Sequence, residues 1–382
     1  ATVLRGLNWG IWGVDFNLYL KEIGFQDDFV GYMASASMFA TGFVAVPAGM
    51  ICEKIGRKKS FLFGTMVSSL FGLVQLFALN SSILLIVSLA GGIFGTISWV
   101  AGAPFMMEST HPEERSYLFS VNWGLSTVSS VVGNVLGGEL PRTLGHFFSL
   151  GPIPGYRMSL VLSLAFSLSS LIPLYLIREK IHPGGEIAGT FSLENIQSLS
   201  LIAKFALTSG LIGLGAGFIV PLFNVFFQEK LGATTEQIGL IFALGSIALA
   251  LGTFVAPAIS NRLSKVKAVF ICRSCSIPFI FAIVLVPHLG VAALSYLLRG
   301  ALMNMAGPID ANFMMERVQE TERATTSGFT VMADNIPRAI SVMLAGQLMK
   351  GGNYWIPYFC TGILYSMSSI LYLLFFRGVE KK

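Results

Sequence analysis

Long apolar stretches separated by short polar breaks run through the whole chain, and each is long enough to cross the ~30 Å hydrocarbon core of a membrane. Because lipid offers the backbone no hydrogen-bond partners, continuous apolar runs of this length predict helices. The pattern predicts twelve helices, at residues 2–21, 29–52, 60–79, 83–108, 116–139, 155–177, 199–228, 235–260, 267–286, 289–315, 323–349 and 354–376.

The longest polar stretch follows the sixth predicted helix and reads REKIHPGGEIAGTFSLENIQ, from Arg178 to Gln197. Its position predicts a linker between two halves of the chain. We therefore expect an N-terminal six-helix half at 1–177, a cytoplasmic linker at 178–198 and a C-terminal six-helix half at 199–382.

Basic residues indicate the orientation of the predicted helices. If both termini are cytoplasmic, fifteen basic residues fall in the inner loops and the C-terminal tail, and only five fall in the outer loops. Inner loops of membrane proteins carry an excess of Lys and Arg. We therefore expect a multi-pass protein of the cell (plasma or inner) membrane with both termini in the cytoplasm. The five outer residues are Lys21, Arg142, Arg157, Lys230 and Lys350.

Composition agrees with a membrane protein. Of the 382 residues, 54% are hydrophobic and only 12% are charged, and the mean hydropathy is +0.71. A soluble domain carries about 25% charged residues. The sequence therefore predicts an all-α integral membrane protein whose surroundings are the lipid bilayer. The formal net charge of +5 is attributed to topology, so no nucleic-acid partner is expected.

A thirteen-residue phrase occurs twice. The chain reads APFMMESTHPEER at 103–115 and ANFMMERVQETER at 311–323, an offset of 208 residues (311 − 103). At the same offset Gly31 corresponds to Gly239, and VLGGEL at 135–140 corresponds to MLAGQL at 343–348. An even number of helices separates the copies, so both halves have the same orientation. This pattern is a parallel repeat of two six-helix halves.

The loop after the second predicted helix carries the most specific motif, GMICEKIGRKKS from Gly49 to Ser60. It resembles the G-x-x-x-D-R-x-G-R-R loop of the major facilitator superfamily of secondary transporters. Gly49, Gly56 and Arg57 match that pattern, while Glu53 replaces its Asp and Lys residues replace two of its Arg. The resemblance spans the whole chain and implies the major facilitator fold and transport by alternating access.

In that family the loop motif acts as a cytoplasmic latch between the halves. The resemblance therefore implies that charges at the cytoplasmic ends of the helices control the switch between conformations. The alternative is that they are solvated charges that only set topology. The predicted gating residues are Gly49, Glu53, Gly56, Arg57, Glu108, Arg115, Glu316 and Arg323.

A second motif, GNVLGG at 133–138, is similar to the G-P-x-x-G-G motif of antiporters in this family, with Asn134 in place of Pro. Such glycines also serve simple helix packing in any membrane bundle. The motif therefore favours antiport only weakly, and packing remains the alternative.

Five charged residues are predicted to lie well inside the helices, where a charge costs about 2.5–3.5 kcal/mol and needs a partner, water or a function. They are Asp15, Arg299, Asp310, Asp334 and Arg338. Their counterparts in the other half are uncharged, which favours substrate or proton chemistry over a requirement of the fold.

Among the acids, Asp310 is the predicted proton carrier. It lies eleven residues from Arg299, about 16 Å along a helix, so that arginine should not neutralise it. Asp334 and Arg338 are four residues apart and so on one face, where they form either a static ion pair or one that substrate or a proton breaks. Asp15 is the competing acid in the first half.

The family builds its cavity mainly from helices 1, 4, 7 and 10 of each chain, so aromatic and amide side chains on or near those helices are candidate substrate contacts. They suit an amphipathic organic molecule, although packing is an equal interpretation of the aromatic residues. With the charges above, the predicted substrate and proton site contains Trp12, Asp15, Asn17, Asn224, Arg299, Asn304, Asp310, Asp334 and Arg338.

The chain has no GxxxxGK[ST], HExxH or GxSxG motif, so neither an ATP-driven pump nor an enzyme is expected. Cys272 and Cys275 have CxxC spacing, but they lie in an apolar run without a second pair, which favours packing. No cofactor or metal is expected, and a monomer is predicted. The leading hypothesis is a proton-coupled exporter of small organic molecules. The alternatives are a symporter or facilitator for a polar or anionic nutrient, a lipid or lysolipid transporter, and a substrate sensor.

The predicted topology can be tested by labelling. Single cysteines introduced at Lys21 and Lys350 should react with an impermeant maleimide in intact cells, because both positions lie in outer loops. A cysteine at Lys58 should react only after the membrane is permeabilised. The reverse pattern would contradict the assignment of both termini to the cytoplasm.

Overall fold

The structure is a computed structural model, and it describes residues 1–108, 114–149, 151–177, 198–319 and 322–378. Throughout these ranges the regular secondary structure is helical. The helices are α1 (Thr2–Glu22), α2 (Asp27–Ile55), α3 (Arg57–Phe77), α4 (Ser81–Glu108), α5 (Arg115–Phe147), α6 (Pro152–Ser169), α7 (Leu171–Leu176), α8 (Leu199–Ile219), α9 (Phe223–Leu231), α10 (Thr235–Arg262), α11 (Lys265–Leu285), α12 (Leu289–Arg317), α13 (Arg323–Lys350) and α14 (Trp355–Phe376).

These helices make up the twelve predicted spans, because two spans are each interrupted once by a proline. Pro173 lies beside the break between α6 and α7, and Pro221 lies in the 3₁₀ turn Val220–Leu222 between α8 and α9. Within the described residues, nine segments are long and apolar enough to cross a membrane by length and composition. The more polar α1, α5 and α13 are outside that set. The all-helical membrane fold predicted from the sequence is confirmed.

Helix α5 is longer than the apolar pattern predicts. The prediction ended the helix at residue 139, but the helix continues through Pro141 to Phe147. Proline is tolerated inside a membrane helix when neighbouring groups satisfy the backbone that it frees. Gly155 at the start of α6 packs directly against the carbonyl of Pro141, where any side chain would collide. The absence of a side chain at Gly155 therefore lets α6 approach the proline.

A single residue connects α2 to α3. Helix α2 ends at Ile55, and α3 begins at Arg57. Gly56 between them has a φ of +97°, a conformation that residues with a side chain rarely adopt. The glycine of the loop motif is therefore required by the backbone itself.

The chain divides into two compact units, which correspond broadly to the two copies of the repeat. The first contains Ala1–Ile187 and Ala233–Ala243, and the second contains Ala188–Gly232 and Leu244–Lys382. In the first unit α1 packs against α5, and α3 packs against α4. In the second unit α8 packs against α13, and α11 packs against α12. The helix pairs of one unit thus recur in the other.

The segment Ala233–Ala243 joins the first unit because the first turns of α10 bind to α5 and α6. The hydroxyls of Tyr156 and Thr235 are 2.7 Å apart, within hydrogen-bonding distance. Arg142 forms an ion pair with Glu236 at 3.2 Å. One continuous helix, α10, therefore has its beginning in one unit and its remainder in the other.

Small residues hold the α1–α5 pair together. A Cβ atom added at Gly10 would lie 2.5 Å from both the Ser130 carbonyl oxygen and the Asn134 backbone nitrogen. In membranes such close backbone approach replaces the hydrophobic driving force between helices. Gly217 lies at an offset of 207 from Gly10 and approaches the backbone of α13 in the same way.

The glycines of the GNVLGG motif serve this packing. Gly133 and Gly137 contact the backbone of α1, where a side chain would not fit. Gly138 instead packs against Gly239 in the first turns of α10. The packing interpretation of this motif therefore accounts for all three glycines.

Replacing Gly10 should loosen the α1–α5 pair. Gly10→Ala places a methyl group against the α5 backbone, and overpacking of this kind costs about 1–3 kcal/mol. We expect a lower apparent melting temperature of the purified protein in detergent, measured by intrinsic fluorescence. Gly13→Ala on the same helix is the matched control, because a Cβ atom there meets nothing within 4 Å. Equal melting temperatures for the two variants would contradict the role of Gly10 in the packing of α1 against α5.

Candidate functional site

Among the acids of the first unit whose side chains the structure describes, Asp15 is the most deeply buried. It lies in the middle of α1 and has no exposed surface. Its Oδ2 accepts a hydrogen bond of 2.5 Å from the hydroxyl of Ser159 on α6, and its Oδ1 has no hydrogen-bond partner. No described Lys, Arg or His forms an ion pair with it. Asp15 is therefore a carboxyl group in an apolar environment with one neutral donor.

The one basic residue of α6 is Arg157, two residues before Ser159, and its hydrogen bond and ring contacts are with groups other than Asp15. Arg157 donates from Nε to the Tyr19 hydroxyl at 2.9 Å, and its guanidinium lies over the rings of Tyr19 and Phe77 at 5.9 and 5.8 Å. Tyr19 in turn donates to the Leu76 carbonyl at 2.6 Å. These contacts hold Arg157 on Tyr19, one helical turn beyond Asp15, which explains how the acid remains without a counter-ion.

The other predicted site residues of α1 lie on the same helix as Asp15. Trp12 is half-buried and stacks on Phe16, with ring centroids 4.5 Å apart. Asn17 is also half-buried. Both side chains are therefore partly accessible, whereas the acid between them in sequence is not.

In the second unit, Asp334 and Arg338 form the ion pair that their spacing predicts. The closest contact joins Arg338 Nη2 to Asp334 Oδ2 at 2.8 Å, and Arg338 also donates through Nε to the same carboxylate. Helix α8 crosses the pair at Gly213 and Gly217, which pack against the carbonyls of Asp334 and Arg338. The two glycines let α8 approach this part of α13 closely.

Spacing along the helix excluded Arg299 as the neutralising cation of Asp310, but a second arginine was missed. Arg273 on α11 forms an ion pair with Asp310, with Nη2 at 2.6 Å from Oδ2. Arg273 is almost fully buried and also lies over the ring of Tyr372 at 5.0 Å. Spacing along one helix cannot reveal a partner on a neighbouring helix, which is why the pair was missed. A signal was present, because Arg273 interrupts an otherwise apolar run.

Arg299 is buried against aromatic rings. It is 6% exposed and donates from Nη2 to the Tyr365 hydroxyl at 2.7 Å. Its guanidinium lies over the rings of Phe223 and Tyr365 at 5.8 and 5.7 Å. Among the described residues it has no acidic partner. In this conformation the Arg299 guanidinium therefore faces aromatic rings and the Tyr365 hydroxyl, and it has little surface for an anionic substrate.

The two predicted asparagines of the second unit differ in exposure. Asn224 is 2% exposed, and its Oδ1 accepts from the adjacent Val225 backbone N–H at 3.0 Å. Asn304 is exposed, and its Nδ2 donates to the Gly300 carbonyl one turn earlier at 2.8 Å. Only Asn304 presents its amide on a surface that a molecule could reach.

The loop motif fixes helix ends within the first unit. Lys58 donates from Nζ to the Tyr175 and Ile177 carbonyls, at 2.8 and 2.5 Å, and thereby caps the C-terminal end of α7. Gly49 and Arg57 are half-buried. The side chains of four predicted gating residues lie outside the described residues, so the latch remains a prediction. These four are Glu53, Glu108, Arg115 and Arg323.

Glu316 pairs within its own unit. Its Oε1 lies 2.5 Å from Lys265 Nζ at the start of α11, and its side chain is 53% exposed. The repeat offset of 208 relates Lys265 to Arg57 and Glu316 to Glu108. The ion pair of Glu316 with Lys265 lies inside the second unit.

The described helices thus form a membrane protein with charged groups inside its spans. A family model described as the Major Facilitator Superfamily matches residues 1–342. The chain belongs to this superfamily, and it is a transporter rather than an enzyme. The resemblance carried by the loop motif is thus confirmed.

Among curated proteins, the chain is 28% identical over 246 residues to the multidrug resistance protein MdtG of Dickeya zeae. This match covers 61% of the chain and 56% of that protein's length. The chain therefore matches only somewhat more than half of that relative.

Solved structures resemble the fold over nearly the whole chain. A bacterial homologue of the human lysosomal transporter Spinster, in an inward-facing and occupied conformation, has a TM-score of 0.76 at 14% identity and covers 98% of this chain and 94% of its own. A D-xylose–proton symporter has a TM-score of 0.75 at 15% identity and covers 97% and 95%. At these identities the likeness concerns the fold alone.

Removing the acid of the Arg273–Asp310 pair should destabilise the protein. Asp310→Asn leaves Arg273 buried without a counter-charge, which costs about 3–5 kcal/mol. Glu316→Gln is the matched control, because it breaks an exposed pair between the same two helices that is worth about 0–1 kcal/mol. Melting temperatures in detergent should fall clearly for Asp310→Asn only, and the double change Arg273→Gln/Asp310→Asn should restore stability. Equal losses in Asp310→Asn and Glu316→Gln would contradict a buried ion pair.

Proposed function

We propose that the protein is a proton-coupled exporter of small amphipathic organic molecules and that Asp15 carries the coupling proton. The single observation that supports this assignment is the burial of Asp15 without a cationic partner. A coupling group has to exchange a proton as its surroundings change, and a carboxyl group moved between an apolar and an aqueous environment does so.

The contacts of the other intramembrane acids favour Asp15 over them. Asp310 and Asp334 each bind an arginine through a contact shorter than 3 Å. Each of these two carboxylates therefore has a counter-charge, whereas no described cation pairs with Asp15. The proposal therefore moves the proton site from Asp310, which the sequence favoured, to the first unit.

The physical cycle follows from the environment of Asp15. An ionised carboxylate buried without a counter-ion carries a large desolvation penalty, and protonation removes it. In the conformation described here the buried Asp15 would hold its proton, with Ser159 hydrogen-bonded to the acid. A conformation that admits water to α1 would release the proton. The difference between these two states would couple the proton gradient to alternating access.

Export and an amphipathic substrate are supported by two observations. The relative MdtG is named a multidrug resistance protein. In addition, the half-buried Trp12 stacks on Phe16 of the same helix as Asp15 and offers a partly accessible aromatic ring to an amphipathic molecule.

Proton symport is the second candidate. The observation that favours it is the likeness of the fold to a D-xylose–proton symporter. A buried acid can couple a proton to substrate moving in the same or in the opposite direction. Which of the two applies has to be measured. In proteoliposomes an antiporter acidifies the lumen when substrate leaves it, whereas a symporter makes the lumen more alkaline.

Replacing Asp15 should uncouple transport from the proton gradient. In proteoliposomes with an imposed pH gradient and ethidium as the first probe, Asp15→Asn should abolish gradient-driven flux, because the amide cannot bind and release a proton. Exchange of ethidium at equal pH should persist within a few-fold.

Asp15→Glu is the matched control, since it keeps the carboxyl group and should retain part of the driven flux. Asp334→Asn and Asp310→Asn, assayed at a temperature where both are folded, should retain gradient-driven flux. Full driven flux in Asp15→Asn would overturn the assignment, and loss of driven flux in Asp310→Asn alone would return it to the second unit.

A further inference from the structure

An open apolar groove runs along the outside of the first unit between α3 and the short helix α7. It has a volume of about 530 Å³. Phe63 and Met66 of α3 form one wall, and Ile172, Tyr175 and Leu176 form the other. These side chains are 43–73% exposed, which leaves a large apolar surface for the surrounding hydrocarbon.

A proline and a lysine shape the groove. Pro173 cannot donate a backbone hydrogen bond to the residue four positions earlier, and the sixth span breaks at Ser170. The resulting short helix α7 is held to α3 by Lys58, which donates to the Tyr175 and Ile177 carbonyls. Because this contact fixes α7 beside α3, the groove is a built feature of the fold.

One charged residue lines the groove. Lys59 lies in the first turn of α3, is exposed, and stands seven residues before Met66, which is about 10 Å along the helix. Lys54, also exposed, precedes it by five residues at the end of α2. The groove therefore has an apolar length that suits part of an acyl chain and a basic end.

We propose that this groove binds an anionic phospholipid of the membrane leaflet on the side of the α2–α3 connection, the predicted cytoplasmic side. One acyl chain lies along Phe63, Met66 and Ile172, and the lipid phosphate meets the Lys59 ammonium group. Basic residues near a membrane surface attract anionic lipids, and basic pockets between transmembrane helices bind their head groups. The inference does not rest on the proposed transport activity.

The second unit provides an internal comparison. Lys267 is the repeat counterpart of Lys59 at an offset of 208, is exposed, and likewise occupies the third position of its helix. The counterpart of Lys58 is Val266, which cannot bind carbonyls at a helix end. Helix α14 carries its only proline, Pro357, in its first turn and continues unbroken to Phe376. The second unit thus repeats the exposed lysine. It does not repeat the lysine that binds helix-end carbonyls or the break in the last span, which together build the groove.

Native mass spectrometry of the purified protein in detergent tests the proposal. The delipidated protein is titrated with dioleoyl phosphatidylglycerol and, separately, with dioleoyl phosphatidylcholine. The variants are Lys59→Ala, which removes the charge, and Met66→Trp, which fills the groove without changing charge. Their matched controls are Lys267→Ala and Val74→Trp, the latter at a similarly exposed position two turns further along α3.

The first phosphatidylglycerol molecule should bind more tightly than phosphatidylcholine. Lys59→Ala should weaken the binding of this first phosphatidylglycerol about fivefold, the factor expected for one lysine near an anionic surface. Met66→Trp should weaken it at least as much, and both controls should stay within about twofold of the unchanged protein. Equal effects of Lys59→Ala and Lys267→Ala would overturn the site. Unaltered binding in Met66→Trp, or equal affinity for the two lipids, would also overturn it.

Discussion

The cost of an ionised group in hydrocarbon governs the arrangement of this protein's interior. Each of the two acids placed inside the second unit binds an arginine, Asp310 through Arg273 and Asp334 through Arg338. Pairing is what makes such charges tolerable at this depth. Asp15 departs from this pattern, because a serine hydroxyl is its hydrogen-bond partner. A buried carboxyl group without a counter-charge needs an explanation, and the proposed exchange of a proton supplies one.

Much of the fold was predictable, because hydrocarbon thickness and backbone hydrogen bonding leave few options for long apolar runs. The twelve spans, the internal repeat and the family all follow from that pattern and from the loop after α2. Helix ends were less predictable where proline acts: Pro141 continues α5, whereas α6 ends just before Pro173. A proline is tolerated in a membrane helix where neighbouring groups satisfy the freed backbone, and the apolar pattern of one helix carries no information about such neighbours.

The candidate site was predictable only where its partners lie on one helix. The spacing of Asp334 and Arg338 gave their pair directly. The partner of Asp310 is on a different helix, and so is Ser159, the partner of Asp15. Arg273 could have been noticed as a charge within an apolar run, but serines are common in membrane helices and nothing in the sequence singled out Ser159. Sequence reasoning therefore found the acids and ranked Asp310 first, whereas the contacts of their side chains support the proposal of Asp15.

The one-residue connection at Gly56 has a consequence for how the protein is made. Helices α2 and α3 are separated by so little chain that they can cross a membrane only together, as a helical hairpin. The tip of this hairpin carries Lys54, Arg57, Lys58 and Lys59, a cluster strong enough to decide which side of the membrane it remains on. Neither helix could invert alone, since one glycine cannot cross a bilayer. Biogenesis therefore decides the orientation of both helices in a single step.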